Sequence, residues 1–248
     1  MKCGRTSALS QRIWAAAAVL ELRDVHAYYG ESHILHGMSL RVEQGEVATL
    51  VGRNGAGKTT TLRTIMGIVP ARSGTIVYGE TPIAGLRSDR IARLGIGYVP
   101  EERGILSTLT VFENLTLAPI VAPGGWELER IFETFPNLKE RAKAPGTTLS
   151  GGEQQMLAIA RVLRTGARLI LLDEPTEGLA PAIVDQIGAL IRTMKADGVT
   201  ILLVEQNVRF ATSVADRHHI VAHGTVVQTL ANSEVIARET ELLDLLGV

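Results

Sequence analysis

The chain has 248 residues, 46% hydrophobic and 21% charged, with a formal net charge of −1. That length allows one large domain or two small ones, and the balance excludes disorder and lacks the basic excess that marks nucleic-acid binding. The single cysteine, Cys3, excludes an intrachain disulfide and a cysteine metal cluster.

The longest unbroken apolar run is Ile13 to Leu20, far short of the ~20 residues a membrane span needs. Lys2, Arg5 and Arg12 ahead of Ala15–Ala18 mimic a crude signal peptide. Residues 1–18 read instead as an N-terminal extension, or as the product of a start upstream of the true one.

From Val19 the pattern is β-rich. Leu20, Leu22 and Val25 are apolar against polar Glu21, Arg23 and Asp24, a half-exposed strand. Leu35–Val42 and Glu46–Val51 read as further strands, the second nearly all apolar and so central. A glycine-rich turn leads into a helix over Lys58–Met66, stopped by Gly67. Thr75–Tyr78 reads as a strand, Ser88–Leu94 as a short helix and Ile96–Val99 as a strand before Pro100. Between about Arg103 and Pro145 the β signal fades. Thr110-Val111-Phe112-Glu113 is a capping box opening a helix, and Trp126–Phe135 and Leu138–Lys143 read as helical. Gly152–Arg164 (helix), Leu169–Leu172 (strand), Ala182–Lys195 (helix) and Thr200–Val204 (strand) then alternate, which implies a parallel sheet with covered faces. After Phe210–Ala215 come two strands around Gly224 and two short C-terminal helices. No repeat or long linker interrupts the chain, so one core with an inserted helical lobe is the simplest architecture.

Gly52-Arg53-Asn54-Gly55-Ala56-Gly57-Lys58-Thr59 fits the phosphate-loop pattern, after a predicted strand and before a predicted helix. Its glycines let successive N–H groups turn toward phosphate oxygens, and the helix start adds partial positive charge. Lys58 is expected on the β- and γ-phosphates of ATP, and the Thr59 hydroxyl on Mg²⁺. A nucleotide of this kind is cytosolic, which is why the signal-peptide reading of the first residues is set aside. Leu169–Leu172 ends in Asp173-Glu174, at the strand edge where a phosphate loop lies. There Asp173 can hold Mg²⁺, directly or through water, and Glu174 can polarise an attacking water as general base. Leu149-Ser150-Gly151-Gly152-Glu153-Gln154-Gln155 opens a second helix-terminal anion site. One chain does not need two such sites for one γ-phosphate. The economical explanation is that this one serves a nucleotide held by another chain, two chains sandwiching two ATPs.

Leu149–Gln155 resembles the signature of the ABC ATPases, and the order of the three motifs is theirs. The similarity runs from about Leu20 to the C-terminus. It implies an α/β fold of the ABC ATPase type of P-loop NTPase: a mostly parallel sheet core, an N-terminal antiparallel β region and an inserted helical subdomain. In those terms residues 19–248 form the ATPase domain, with the helical subdomain at about 103–165. The resemblance implies an adenine stacked on Tyr29. It implies nucleotide contacts from Gly52, Asn54, Gly55, Ala56, Gly57, Lys58, Thr59, Thr60, Glu101, Ser150, Gly151 and Gly152. Thr59, Asp173 and Glu101 are the implied Mg²⁺ ligands, and Glu174, Gln206 and Lys58 the implied catalytic set.

Three departures narrow the resemblance. Most ABC ATPases carry Gln where Val99-Pro100 is followed by Glu101, His where Val204-Glu205 is followed by Gln206, and Asp where Gly178-Leu179 is followed by Ala180. Tyr98-Val99-Pro100-Glu101, Gly178-Leu179-Ala180-Pro181 and Val204-Glu205-Gln206-Asn207 together resemble the LivF-type ATPases of branched-chain amino-acid importers. Relatives of that type also serve urea, short amides and aromatic acids. The type implies a second, related ATPase subunit (a heterodimer before a homodimer), two membrane permeases and a periplasmic substrate-binding protein. It implies a peripheral seat on the cytoplasmic face of the inner membrane and no nucleic-acid partner. Of the competing readings, a non-transport ABC ATPase is disfavoured by the single phosphate loop and the lack of a heptad run. A small-molecule kinase has no use for the second anion site.

Overall fold

The computed structural model describes residues 18–237. The N-terminal extension, all but its last residue, and the second of the predicted C-terminal helices lie outside them.

The N-terminal β region is an antiparallel sheet. β1 (Ala18–Tyr29) pairs with β2 (Ser32–Glu43) on one side and β4 (Ala71–Tyr78) on the other, and β5 (Thr81–Pro82) closes the order β2-β1-β4-β5. The apolar positions of β1 step by two from Leu20 to Leu22, by three to Val25, then by two to Ala27, and all four are buried. A step of three would turn the second half of a regular strand inside out. A bulge absorbs it. The register shifts between Leu22 and Val25, and Asp24 takes a positive φ of 50°. Gly74 of β4 lies under the bulge; a Cβ there would stand 2.3 Å from the Asp24 carbonyl oxygen. That glycine lies inside a strand that starts at Ala71, four residues before the expected Thr75.

The second sheet has the order β10-β9-β3-β8-β7-β6. Its strands are β3 (Val47–Val51), β6 (Ile96–Val99), β7 (Leu169–Asp173), β8 (Thr200–Glu205), β9 (Arg217–Ala222) and β10 (Thr225–Ala231). All its pairings are parallel except β9 with β10. Every residue of β3, β7 and β8 is buried, as their near-continuous apolar runs require. Alternation divides these strands between two cores. Leu169 and Leu171 of β7 pack with Leu202 and Val204 of β8 toward the antiparallel sheet. Ile170 and Leu172 pack with Ile201 and Leu203 toward the helices. The parallel sheet is thus the middle layer.

The helices are α1 (Lys58–Ile65), α2 (Ser88–Arg93), α3 (Val111–Thr116), α4 (Leu128–Thr134), α5 (Pro136–Glu140), α6 (Gly151–Arg164), α7 (Pro181–Ala196), α8 (Val208–Val214) and α9 (Asn232–Ala237). Between β6 and β7 the described chain runs through α3, α4, α5, a 3-10 turn at Gly146–Thr148 and α6, without a strand. Capping boxes open both α3, at Thr110 and Glu113, and α6, at Ser150 and Glu153. Buried Asn114 donates to the carbonyls of Leu106, Leu109 and Thr110, which fixes the turn before α3. Where the expectations missed, a local cause is visible. α4 begins at Leu128 rather than Trp126, because Trp126 N–H donates to the Leu163 carbonyl at 3.1 Å and Glu127 is extended; the Trp126 indole donates to Asp197 at 2.9 Å, with Arg130 over its ring. α5 begins at Pro136, a residue suited to the first helical position, and ends three residues before the expected Lys143. No described helix is long and apolar enough to cross a membrane.

The turn between β9 and β10 supports the phosphate loop from behind. Gly224 N–H donates to the Ala56 carbonyl at 2.9 Å, and the Gly224 carbonyl accepts from His36 N–H at 2.9 Å. Gly224 has a φ of 73°, and a Cβ there would lie 1.9 Å from the Ile34 carbonyl oxygen. Gly45 has nearly the same φ, 74°, but no atom within 4 Å of its Cβ position. Gly45→Ala should therefore cost only the left-handed strain, about 1–2 kcal/mol. Gly224→Ala adds a backbone clash and should cost at least about 2 kcal/mol more. Urea titration of both variants checks the order; equal losses would remove the wedge from the account.

β9 also buries two histidines. His218 Nδ1 lies 2.7 Å from Thr49 Oγ1, and His219 Nδ1 lies 2.9 Å from Thr229 Oγ1. Burial pushes His219 down to about 4. The unfolded chain, with an ordinary imidazole near 6.5, binds the proton more readily over that interval. The contribution of His219 is therefore fully present above about pH 6.5 and is lost as pH falls through 4. Unfolding titrations of wild type and His219→Gln from pH 7 to 4 should show a stability difference that shrinks steadily with acidification. A constant difference would show that His219 does not titrate in this way.

Candidate functional site

The loop from Gly52 to Gly57 joins central strand β3 to α1. Gly55 and Gly57 take φ of 77° and 104°, and Gly57 is the N-cap of α1, so side chains are excluded by backbone geometry. Gly52 is excluded from bearing a side chain by space: a Cβ would stand 2.3 Å from the Val221 carbonyl oxygen. Lys58, the first residue of α1, folds back across the loop. Its ammonium donates to the Gly52 carbonyl at 2.8 Å and to the Arg53 carbonyl at 3.2 Å, and lies 3.4 Å from Glu174 Oε1. Only 4% of its side chain meets solvent.

Glu174 follows the last residue of β7. It holds a positive φ of 45°, an uncommon conformation for a non-glycine residue. Its N–H donates to the Val204 carbonyl at 3.0 Å, which anchors it to β8. The other carboxylate oxygen accepts from Gln206 Nε2 at 2.7 Å. Glu174 thus stands between Lys58 and Gln206.

Asp173 ends β7 fully buried. It accepts from the Thr59 hydroxyl at 2.9 Å and from the Tyr98 hydroxyl at 3.0 Å. Burial raises its pKa against those two bonds, so the carboxylate is short of positive charge. Burial likewise raises Tyr98, whose hydroxyl also meets Arg63. Partial desolvation, and then the fields of Glu174 and Asp173, raise Glu101. Arg63 is raised by its contacts with Tyr98 and Tyr29 and pairs with Glu102 at 3.2 Å. Burial pushes Glu205, at the end of β8, up to about 7.

Lys58, Glu101, Glu174 and Gln206 border one depression of about 460 Å³. Tyr29, Asn54, Gly55, Gly57, Lys58, Thr59, Thr60, Glu101, Glu174 and Gln206 line it, with Ile34 and Glu177. Gly52 contributes its carbonyl to Lys58 from behind, and Asp173 its carboxylate to Thr59. Ala56 faces the other side of the loop, beside Arg53, Ile220 and His223. The two adjacent tyrosines separate clearly. Tyr28 is stacked on His33 at 4.1 Å between centroids, with Arg72 over its ring at 4.1 Å. Tyr29 is 44% exposed and borders the depression.

Ser150, Gly151 and Gly152 are not among the residues that line it. They open α6, where Ser150 accepts from Glu153 N–H and Glu153 from Ser150 N–H. Gly152 borders a different cavity, of about 510 Å³, between α4, α5 and α7. Sequence reasoning missed Tyr98, Arg63, Thr176 and Glu205. Tyr98 and Glu205 stood in strings that were singled out, but nothing in those strings shows which strand end each meets.

The ABC transporter family profile matches residues 35–177. BraG of Pseudomonas aeruginosa, a high-affinity branched-chain amino acid transport ATP-binding protein, is 44% identical over 218 residues, 84% of this chain and 91% of BraG. A probable branched-chain amino acid transport ATP-binding protein, LivF of Archaeoglobus fulgidus, is 35% identical over 219 residues, 87% of this chain and 93% of LivF. Among solved structures, the ADP conformation of an ATP-binding cassette of an ABC transporter superposes with a TM-score of 0.77. It is 25% identical and covers 90% of this chain and 94% of the cassette. Family profile, near full-length relatives and fold agree: the chain belongs to the ABC transporter family, as one of its ATP-hydrolysing cassettes.

Proposed function

We propose that this chain is the ATPase subunit of a bacterial importer of branched-chain amino acids or related small solutes such as amides and urea. One observation carries the reading. Lys58, Glu174 and Gln206 converge on the depression that the phosphate loop borders, whereas the Ser150–Gly152 helix start is off it. A helix N-terminus built for an anion and placed away from its own chain's loop fits a second chain's nucleotide. The 44% identity to BraG supports the solute class.

In this reading Tyr29 stacks on adenine, and the loop N–H groups, Lys58 and Thr60 take the phosphates. Thr59, Asp173 and Glu101 would hold Mg²⁺. The set fits: hard oxygen donors around a buried carboxylate that lacks compensating charge. The ion, when bound, neutralises charge across the β- and γ-phosphates. Glu174 takes a proton from the attacking water as general base. Gln206 orients Glu174 and can donate to the γ-phosphate, but unlike the usual His it cannot carry a proton at neutral pH. Ser150, Gly151 and Gly152 complete the site of a related second ATPase subunit, which completes this one in return. The pair couples to two membrane permeases, fed by a periplasmic substrate-binding protein, from the cytoplasmic face of the inner membrane.

The reading is tested by reconstituting the chain with the permeases and second ATPase and measuring leucine uptake and ATP turnover. Lys58→Ala should abolish turnover. Glu174→Gln should bind ATP, stop turnover and accumulate an ATP-bound pair of ATPase subunits. Wild-type turnover by Glu174→Gln would remove Glu174 as the base, and ATP hydrolysis without uptake of any small amino acid, amide or urea would remove the solute assignment.

The tyrosines give a sharper contrast. Tyr29→Ala should weaken ATP binding by ~1–3 kcal/mol, the usual worth of a base–aromatic stack. Tyr28→Ala should leave the affinity unchanged and lower the melting temperature, because it dismantles the His33–Tyr28–Arg72 stack. Calorimetric titration with ATP distinguishes them, and a larger affinity loss in the Tyr28 variant would reverse the assignment.

A further inference from the structure

Glu205 is a buried carboxylate one residue before Gln206, and the roles proposed above do not use it. It is 3% exposed. It accepts from the Thr176 hydroxyl at 2.8 Å, and the backbone N–H groups of Thr176 and Asn207 favour its charged form. Two of those donors belong to the loop after Glu174, and the third to the turn after β8. The carboxylate therefore fastens two chain segments that no strand pairing joins beyond Asp173 and Val204.

The fastening is needed where it occurs. Beyond Thr176 the loop has little to pack on: Glu177, Gly178 and Ala180 are exposed and Leu179 is half-buried. A cavity of about 730 Å³ separates the loop from the turn at Gln206 and Asn207. Beside it, at the depression the phosphate loop borders, Gln206 donates to Glu174 at 2.7 Å. The two contacts are neighbouring rungs, Thr176 to Glu205 and Glu174 to Gln206. The Thr176–Glu205 contact limits how far the backbones that carry Glu174 and Gln206 can move apart.

A purely structural link at this place would not need an ionisable group. Burying a carboxylate costs stability, and burial with the nearby Glu174 charge opposes its ionisation while the three donors favour it. What the carboxylate offers over a methyl is an acceptor for the Thr176 hydroxyl, with capacity to spare toward the neighbouring N–H groups.

We propose that Glu205 is a positioning residue for hydrolysis, fastening the loop after Glu174 to the end of β8 and so setting the Glu174–Gln206 contact. This rests on the reading of Glu174 as general base. Glu205 touches no substrate in this scheme. It acts through Thr176 and Gln206, so it governs kcat and leaves nucleotide affinity alone.

The test is MgATP turnover by the assembled complex, with the affinity for ATP measured on the same preparations. Glu205→Gln presents an amide N–H₂ to donors and should lower kcat on the order of tenfold, within the ~100-fold that a 1 Å misplacement can cost. Thr176→Val removes the hydroxyl rung and keeps the shape, and should lower kcat similarly. Thr176→Ser keeps the hydroxyl and should restore most of it. ATP affinity and KM should stay within about twofold of wild type in all three. Thr176→Val carries the test should Glu205→Gln fail to fold. Wild-type kcat in Thr176→Val, an equal loss in Thr176→Ser, or a loss confined to KM would each overturn the positioning role. Glu174→Gln run alongside separates the two levels. If it is silent while Thr176→Val turns over normally, the base stands and the positioning role falls. If it hydrolyses at the wild-type rate, the base reading falls and takes this inference with it.

Discussion

Lys58 places a full positive charge where 4% of its side chain meets water, and much of the surrounding structure follows from keeping it there. An ammonium moved out of water costs several kcal/mol unless it is paired and hydrogen-bonded. Two carbonyls of its own loop and the Glu174 carboxylate provide that compensation. The carbonyls can turn inward only because the loop reverses through glycines with positive φ. The carboxylate can reach it only because Glu174 accepts a φ of 45° and is anchored by its N–H on Val204. Strain at Glu174 and the glycine spacing are thus two consequences of one buried charge. A phosphate on Lys58 would compete with Glu174 for its ammonium. In the proposed function that competition frees the carboxylate to face water when the nucleotide is in place.

The loop is also held from the side opposite its ligand-facing surface. The turn at His223–Gly224 is wedged between β2 and the loop, so the antiparallel sheet, the β9–β10 hairpin and the phosphate loop meet at one glycine. A substitution in the hairpin is therefore felt at the loop although it lies outside all three sequence motifs. The same economy runs through the central strands, whose alternate residues feed two cores. A change at Leu171 is felt by the antiparallel sheet, and one at Leu172 by the helices.

How legible this was in the sequence depends on the range of the interaction. The phosphate loop, the apolar run ending in Asp173-Glu174 and the capping box at Thr110 are local patterns whose physics lies within a few residues. The structure places the residues of the first two beside each other. The β1 bulge was half legible: the step of three from Leu22 to Val25 is in the sequence, but its resolution depends on Gly74 of another strand. The start of α5 at Pro136 was open to the rule for proline at the first helical turn and was read too late in the chain. Tyr98 on Asp173 and Thr176 on Glu205 were not legible, because each joins separate segments through a strand order that the sequence does not state. The separation of Tyr28 from Tyr29 likewise required His33 and Arg72, from two other strands, to occupy Tyr28.

The charge pattern of the site carries the argument one step further. Asp173, Glu101 and Glu205 all have raised carboxyl pKa values, with burial the largest cause in each. Glu174 and Asp173 add to the effect at Glu101, and Glu174 does so at Asp173 and Glu205. Against these carboxylates stand Lys58, spent on Glu174 and two carbonyls, and Arg63, engaged with Glu102 and the tyrosines. A site that must accept a polyanion is therefore already acidic. Loop N–H groups and a helix terminus offset part of that field but carry only partial charge. In the proposed function a small, hard divalent cation beside Asp173 would supply the rest, and Glu101, a carboxylate where glutamine is usual, would add to the charge it offsets. Gln206 in place of histidine puts a side chain that does not titrate where the family usually has one that can carry a proton. In the proposed function the two departures together shift the electrostatic burden in this cassette from protonation toward that cation.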